Sequence, residues 1–227
     1  MTDSAENVSL IAKLLTGDPI WCWDWKYNPS LYQHMHALGV IAANYNDLEG
    51  EFYKLFWLTF HEHRIDLAKL VFSKLNNAER IEAALRFIEK EPHADFRERF
   101  ECFINGYAIS TENRNNLMHS RAHNASAKDG MITALTLAKS LKADLDEQHF
   151  VTLELSELRG VADDMANLAS FGWNLLLWRV AQYTGGSIPR VGGDPLVPTL
   201  PDKFPKLRKL ILAPQKAPTA APDQRQP

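Results

Sequence analysis

The stretch Leu38–Leu55, LGVIAANYNDLEGEFYKL, decides the fold class. Its apolar residues Leu38, Ile41, Tyr45, Leu48, Phe52 and Leu55 recur at alternating spacings of three and four, which stacks them into one stripe on a helix. A half-buried strand would need alternation by two instead. Asn28-Pro29-Ser30 ahead of the stripe supplies turn and cap chemistry, with Ser30 accepting a bond from an orphan backbone N–H. The spacing therefore predicts a helix from about Ser30 to about His61.

The same reading extends along the chain. A short helix carries Leu67, Leu70 and Val71; Asn76 with Glu79 then forms an N-cap with a reciprocal acidic partner, opening a helix with Ile81, Ala84, Leu85 and Ile88 that stops at Glu91-Pro92. The next opens near His93 to Asp95, carries Phe96, Phe100, Phe103 and Tyr107, and is predicted to reach about Asn113. Arg121 to Gly130 is small and polar. Met131 to Ala138 and His149 to Leu155 read as two short strands or a hairpin, while Met131 to Leu145 also fits an amphipathic helix. Thr152 or Ser156 caps a last long helix, striped by Leu158, Val161, Met165, Leu168, Gly172 and Leu175, that ends before Gly185-Gly186.

The fold class expected is thus mostly α, an antiparallel helical bundle with at most a small β-hairpin. An aromatic-rich N-terminal segment, 1–29, with Trp21, Trp23 and Trp25 alternating as on one face of an extended run, packs on a single helical domain, 30–185. Nine of the 12 prolines fall from Pro189 onward, so 186–227 reads as a largely disordered tail. Its Lys203, Lys206, Arg208 and Lys209 around Leu207 and Leu210 form a basic patch, either solvated or docked on the domain or on a partner.

With 45% hydrophobic residues among 227, the chain can bury a core, and a net charge of −3 gives no bulk attraction to nucleic acid or to an anionic membrane. Any RNA contact must be local. Cys22 and Cys102 lack metal-ligand or disulfide spacing and fit a reducing cytoplasm. The first residues have no basic start or long apolar run, and Phe171 to Val180 is too short to span a bilayer, so a cytoplasmic protein without membrane partners is expected.

The chemistry concentrates in Thr111-Glu112-Asn113-Arg114-Asn115-Asn116-Leu117-Met118-His119, where four residues separate an Arg from a His and Asn follows the Arg. Arg114 continues the apolar stripe of Phe96, an expensive place for a guanidinium without a partner. His119 would sit about 140° away on an unbroken helix, so the two converge only if the helix ends or bends near Asn115-Asn116. Arg86 and His93 have a comparable spacing.

This segment resembles the motif of the HEPN superfamily, and Leu38-Gly39 with Asn46-Asp47-Leu48-Glu49 resembles the first-helix pattern of small bacterial HEPN-like proteins. The resemblance covers roughly Leu38 to Tyr183. It implies a metal-independent endoribonuclease, free of cofactors, in which two chains pair so that two motifs share a cleft. It also implies a toxin or phage-defence role, with RNA as substrate and an antitoxin protein as a candidate partner. The alternatives are a catalytically silent module that binds RNA or a protein, and a helical scaffold without ligand.

The residue types suit that chemistry. A planar guanidinium holds a phosphodiester and stabilises charge on its non-bridging oxygens, while imidazole takes the 2′-hydroxyl proton or protonates the leaving oxygen. Arg114 and His119 are therefore the candidate catalytic pair, and Asn115 contacts phosphate or fixes the backbone. Glu49, flanking the first stripe, either orients Arg114 or His119 or makes a local salt bridge; Asp47 falls on the solvent side. His119 and His123 have the i, i+4 spacing of a metal pair but no third ligand, and His34/His36 and His61/His63 at i, i+2 face different ways.

Overall fold

The three-and-four stripe forms helix α1 (Tyr32–Phe60). The protein is described here by a computed structural model at residues 32–60, 65–128, 131–141, 144–191 and 193–214. Ser30, the 1–29 segment with its tryptophans and Cys22, and His61 and His63 lie outside those residues. The buried stripe of α1 is Ala37, Ile41, Tyr45, Leu48, Phe52, Leu55 and Phe56, with Leu38 half-buried at its flank.

Helix α2 (Ile65–Lys74) differs from the expected face. Ala68 and Phe72 are buried, whereas Leu67 and Leu70 are exposed. A ten-residue helix offers two short apolar faces, and the larger ring wins by packing edge-on against Phe52 and Phe56. Helix α3 (Asn77–Ile88) starts where expected: the Asn76 side chain accepts from the Glu79 N–H at 3.1 Å, and the Glu79 carboxylate accepts from the Asn76 N–H at 2.8 Å.

Helix α4 (Ala94–Met118) buries Phe96, Phe100, Phe103 and Tyr107 as expected but runs on through Asn113, Asn115 and Asn116. Of the end or bend expected near Asn115-Asn116, the helix shows an end, two residues further on at Met118. Asn113 and Asn116 are buried and find distant hydrogen-bond partners, so their amides have no need of the local backbone bonds that favour turns.

Strands β1 (Arg121–Lys128), β2 (Met131–Leu141) and β3 (Asp144–Glu154) then form an antiparallel meander, in place of a loop and a short hairpin. Leu135 and Leu137 are buried on β2, while Thr136 between them bonds Thr152 across the pair at 2.8 Å. That alternation rules out the helical reading of Met131 to Leu145. Helix α5 (Leu155–Tyr183) closes the domain. Its first turn is capped by neither Thr152 nor Ser156: the Glu157 carboxylate accepts from the Glu154 N–H at 2.8 Å. Gly185 and Gly186, at φ 78° and 94°, adopt the left-handed backbone that ends α5.

Helix α4 runs antiparallel to both long neighbours. Tyr107 and Phe103 meet Tyr45 and Phe52 of α1, while Phe96 and Phe103 meet Trp178 and Gly172 of α5. At Gly172 an added Cβ would lie 2.4 Å from the Phe103 ring, so glycine sets the α4–α5 approach. The turn into α4 is fixed by a two-pronged ion pair between half-buried Arg179 and buried Glu91, at 3.0 and 3.3 Å. No helix among the described residues is long and apolar enough to cross a membrane.

The segment after Gly186, read as a solvated tail, is over 193–214 a strap docked on the domain; 215–227 lie outside the described residues. Pro201 accepts from Arg99 Nε at 2.9 Å, Phe204 tilts over Phe171, and Leu207 covers Gly106. Arg208 pairs with Asp164 at 2.7 Å, Lys209 with Glu112 at 2.8 Å, and Leu210 is buried. Strand β4 (Ala213–Pro214) then pairs with β3 at Phe150 and His149. Two of the four cations of the basic patch are thus spent inside the domain, on Asp164 and Glu112.

Candidate functional site

Helix α4 ends at Met118, which leaves His119 as its C-cap, with its N–H bonded to the Asn115 carbonyl at 3.2 Å. Because His119 has already left the helix, it need not keep the angular offset of a continuous one. Arg114 Nη1 lies 3.4 Å from His119 Nε2, near the outer limit of a hydrogen bond, and donates to Asn115 Oδ1 at 3.0 Å. The expected pair therefore converges, through termination of the helix rather than a bend within it. His119 is exposed, and Arg114 is half-buried rather than part of the buried stripe. Arg114 Nε and Nη2 make no hydrogen bond among the described residues, which leaves guanidinium donors for a ligand.

Beneath Arg114 is a rigid polar floor. The guanidinium lies 5.5 Å from the Tyr45 ring centroid. The Tyr45 hydroxyl bonds Thr111 Oγ1 at 3.0 Å and Tyr107 at 3.2 Å, and accepts from Asn77 Nδ2 at 3.1 Å. Burial, and then the adjoining Tyr45, push the Tyr107 phenol well above its ordinary range. Tyr107 is therefore a neutral structural hydroxyl, not a base.

Three neighbouring asparagines face three ways. Asn113 holds the strap, donating to the Arg208 carbonyl at 2.8 Å and accepting from the Leu210 N–H at 2.9 Å. Asn115 faces Arg114. Asn116 accepts from Lys139 Nζ of β2 at 2.9 Å, and its carbonyl accepts from Ser120 Oγ.

Glu49 does not join the pair. Its carboxylate meets Arg80 Nη1 at 3.3 Å, and Arg80 also binds the Phe72 carbonyl and Asn77 Oδ1. Of the two readings, the salt bridge holds, though its cation is not a near neighbour in sequence: Arg80 arrives because α3 folds back beside α1. Asp47 is exposed, as expected. With Glu49, Glu112 and Asp164 each carrying its own cation, no carboxylate among the described residues pairs with Arg114, His119 or Lys139.

The other candidates separate. Arg86 pairs with Glu82 at 2.5 Å while His93 stands edge-on to Trp178, so the second Arg/His window is not a site. His119 and His123 share no helix, since β1 begins at Arg121. His34 is buried and His36 exposed. Cys102 is half-buried, and burial together with Glu98 pushes its thiol up, away from reactivity. Sequence reasoning missed Asn113, Asn116, Lys139 and the supporting role of Tyr45. Only Tyr45 carried a signal, as a hydroxyl on an otherwise apolar stripe.

No family model, curated protein or solved structure matches the chain.

Proposed function

We propose that the chain is a metal-independent endoribonuclease of the HEPN type, acting on single-stranded RNA as a homodimer. The observation that carries this reading is the contact of Arg114 with the exposed His119, where no carboxylate among the described residues neutralises either. An acid beside them would compete with a phosphate for the guanidinium; its absence among the described residues leaves the pair electropositive in a chain of net charge −3. In the proposed step Arg114 holds the non-bridging oxygens and His119 removes the 2′-hydroxyl proton. The 2′-oxygen then bonds phosphorus, the P–O5′ bond breaks, and His119 of a second copy protonates the departing 5′-oxygen. The products are a 2′,3′-cyclic phosphate and a 5′-hydroxyl. A toxin or phage-defence role in the cytoplasm, with an antitoxin protein to restrain it, follows from the motif's resemblance.

One observation favours a second reading. Glu49 is committed to Arg80, so no described carboxylate orients His119, as a silent RNA- or protein-binding module would tolerate. The experiment that separates the two is cleavage of varied single-stranded RNAs in EDTA. Wild type cuts and leaves cyclic phosphate ends, while Arg114→Ala and His119→Ala each lose roughly two or more orders of magnitude in rate. Asp47→Ala retains full rate. If wild type and His119→Ala are equally inert while both are folded dimers, the nuclease reading falls and the binding module replaces it.

A further inference from the structure

Lys139 is a cation at the end of α4, beside the Arg114–His119 pair, that the proposed reaction leaves without a task. It stands on β2, half-buried, and reaches the buried end of α4 to donate to Asn116 Oδ1 at 2.9 Å. Within the helix Asn116 lies about 160° from Arg114, so Lys139 reaches the last turn of α4 from the side away from Arg114. Lys139 and the Arg114–His119 pair thus meet at the same helix terminus, the lysine through Asn116, three residues before His119. Any neutral donor would satisfy the Asn116 amide; the charge of Lys139 is surplus to that bond. Among the described residues no carboxylate pairs with it, and an ammonium has three N–H donors, so one bond to Asn116 leaves two for a ligand.

The position of Lys139 is also braced. Its strand neighbour across the sheet is His149, and His149 pairs in turn with Pro214 of the strap. Strap, β3, β2 and the end of α4 are thereby joined laterally, and the lysine is presented from a framework rather than a loop.

We infer that Lys139 makes a second phosphate contact, so that the site takes a single-stranded nucleic-acid backbone across two phosphates, one at Arg114 and His119 and a neighbouring one at Lys139. The inference rests on the nuclease reading for the identity of the polyanion. A lysine ammonium is a compact, freely rotating donor that reads charge and not base identity, so the contact positions the strand without selecting its sequence.

The test uses Lys139→Gln, which keeps an N–H for Asn116 and removes the charge, and Lys139→Arg, which restores the charge. Binding is read by fluorescence anisotropy with a labelled 2′-O-methyl RNA oligonucleotide, which lacks the nucleophile and cannot be cut. Each lost phosphate contact lowers the slope of log affinity against log salt by about 0.7 on a single strand. Lys139→Gln should lower the slope by that amount and raise KM roughly tenfold, with kcat within about threefold of wild type; Lys139→Arg should restore both. If wild type cleaves RNA and Lys139→Gln has an unchanged slope and KM, the inference is overturned while the nuclease reading stands. If wild type cuts nothing yet the slope falls in Lys139→Gln, the backbone contact stands and the nuclease reading fails. If wild type does not bind the oligonucleotide even at low salt, both fall.

Discussion

Replacing Asn113 by Ala removes both bonds that clamp the strap to α4, to the Arg208 carbonyl at 2.8 Å and from the Leu210 N–H at 2.9 Å. The two losses are unequal. Arg208 is exposed and its carbonyl can turn to water, whereas Leu210 is buried and its N–H is left without a partner. A stranded buried peptide group costs about 1–3 kcal/mol and a lost neutral bond about 1 kcal/mol, so the variant should lose about 2–4 kcal/mol. At about 2–4 °C per kcal/mol for a domain of this size, Tm should fall by roughly 5–15 °C. Urea unfolding followed by tryptophan fluorescence gives the free energy, and hydrogen exchange at the Leu210 amide locates it. The reasoning is refuted if the unfolding free energy stays within about 0.5 kcal/mol of wild type and the Leu210 amide keeps its protection.

Glu91→Ala leaves the half-buried Arg179 without its acid and should cost about 2–4 kcal/mol, while adding Arg179→Ala should cost less than the two single losses summed; a double-mutant cycle in urea checks both. Gly172→Ala forces a Cβ against the fully buried Phe103 ring and should destabilise by about 1–3 kcal/mol. The exposed helical Gly39→Ala, which meets nothing within 4 Å, should instead stabilise by about 0.5–1 kcal/mol in the same measurement. Because Tyr107 stays protonated when folded but ionises near pH 10 when unfolded, the native state binds the extra proton. Its contribution to stability is full below about pH 10 and is lost as pH rises beyond it. Tyrosinate absorbance should show one phenol that ionises only with unfolding, and Tyr107→Phe should remove that step.

The long helices were legible because a stripe is a local property. The spacing of Ile41, Tyr45, Leu48 and Phe52 points one face inward whatever covers it. The Asn76–Glu79 box was legible for the same reason, since both partners lie within one turn. The Arg114–His119 contact was legible as spacing but not as geometry. Of the asparagines that read as a break, Asn116 is held inside the helix by Lys139 and Asn115 by Arg114, and it is the cap at His119 that brings the guanidinium and imidazole together. Strand β1 was not legible: Arg121-Ala-His-Asn-Ala-Ser-Ala-Lys128 holds no β-branched or aromatic residue, and it becomes a strand by pairing with β2 at the edge of the sheet.

By itself the sequence determined that α1, α4 and α5 form and which face each buries, that Asp47 faces solvent, and that an Arg and a His lie close along the chain at the end of α4. Tertiary structure decided which charges remain available. Glu49 went to Arg80, 31 residues away, Asp164 to Arg208, 44 residues away, and Asn113 to a strap 95 residues downstream. Periodicity is written in neighbours a turn apart, but the neutralisation of a charge depends on whatever the whole chain brings within a few ångströms. Only the folded arrangement could leave Arg114, His119 and Lys139 without an acid paired to them among the described residues.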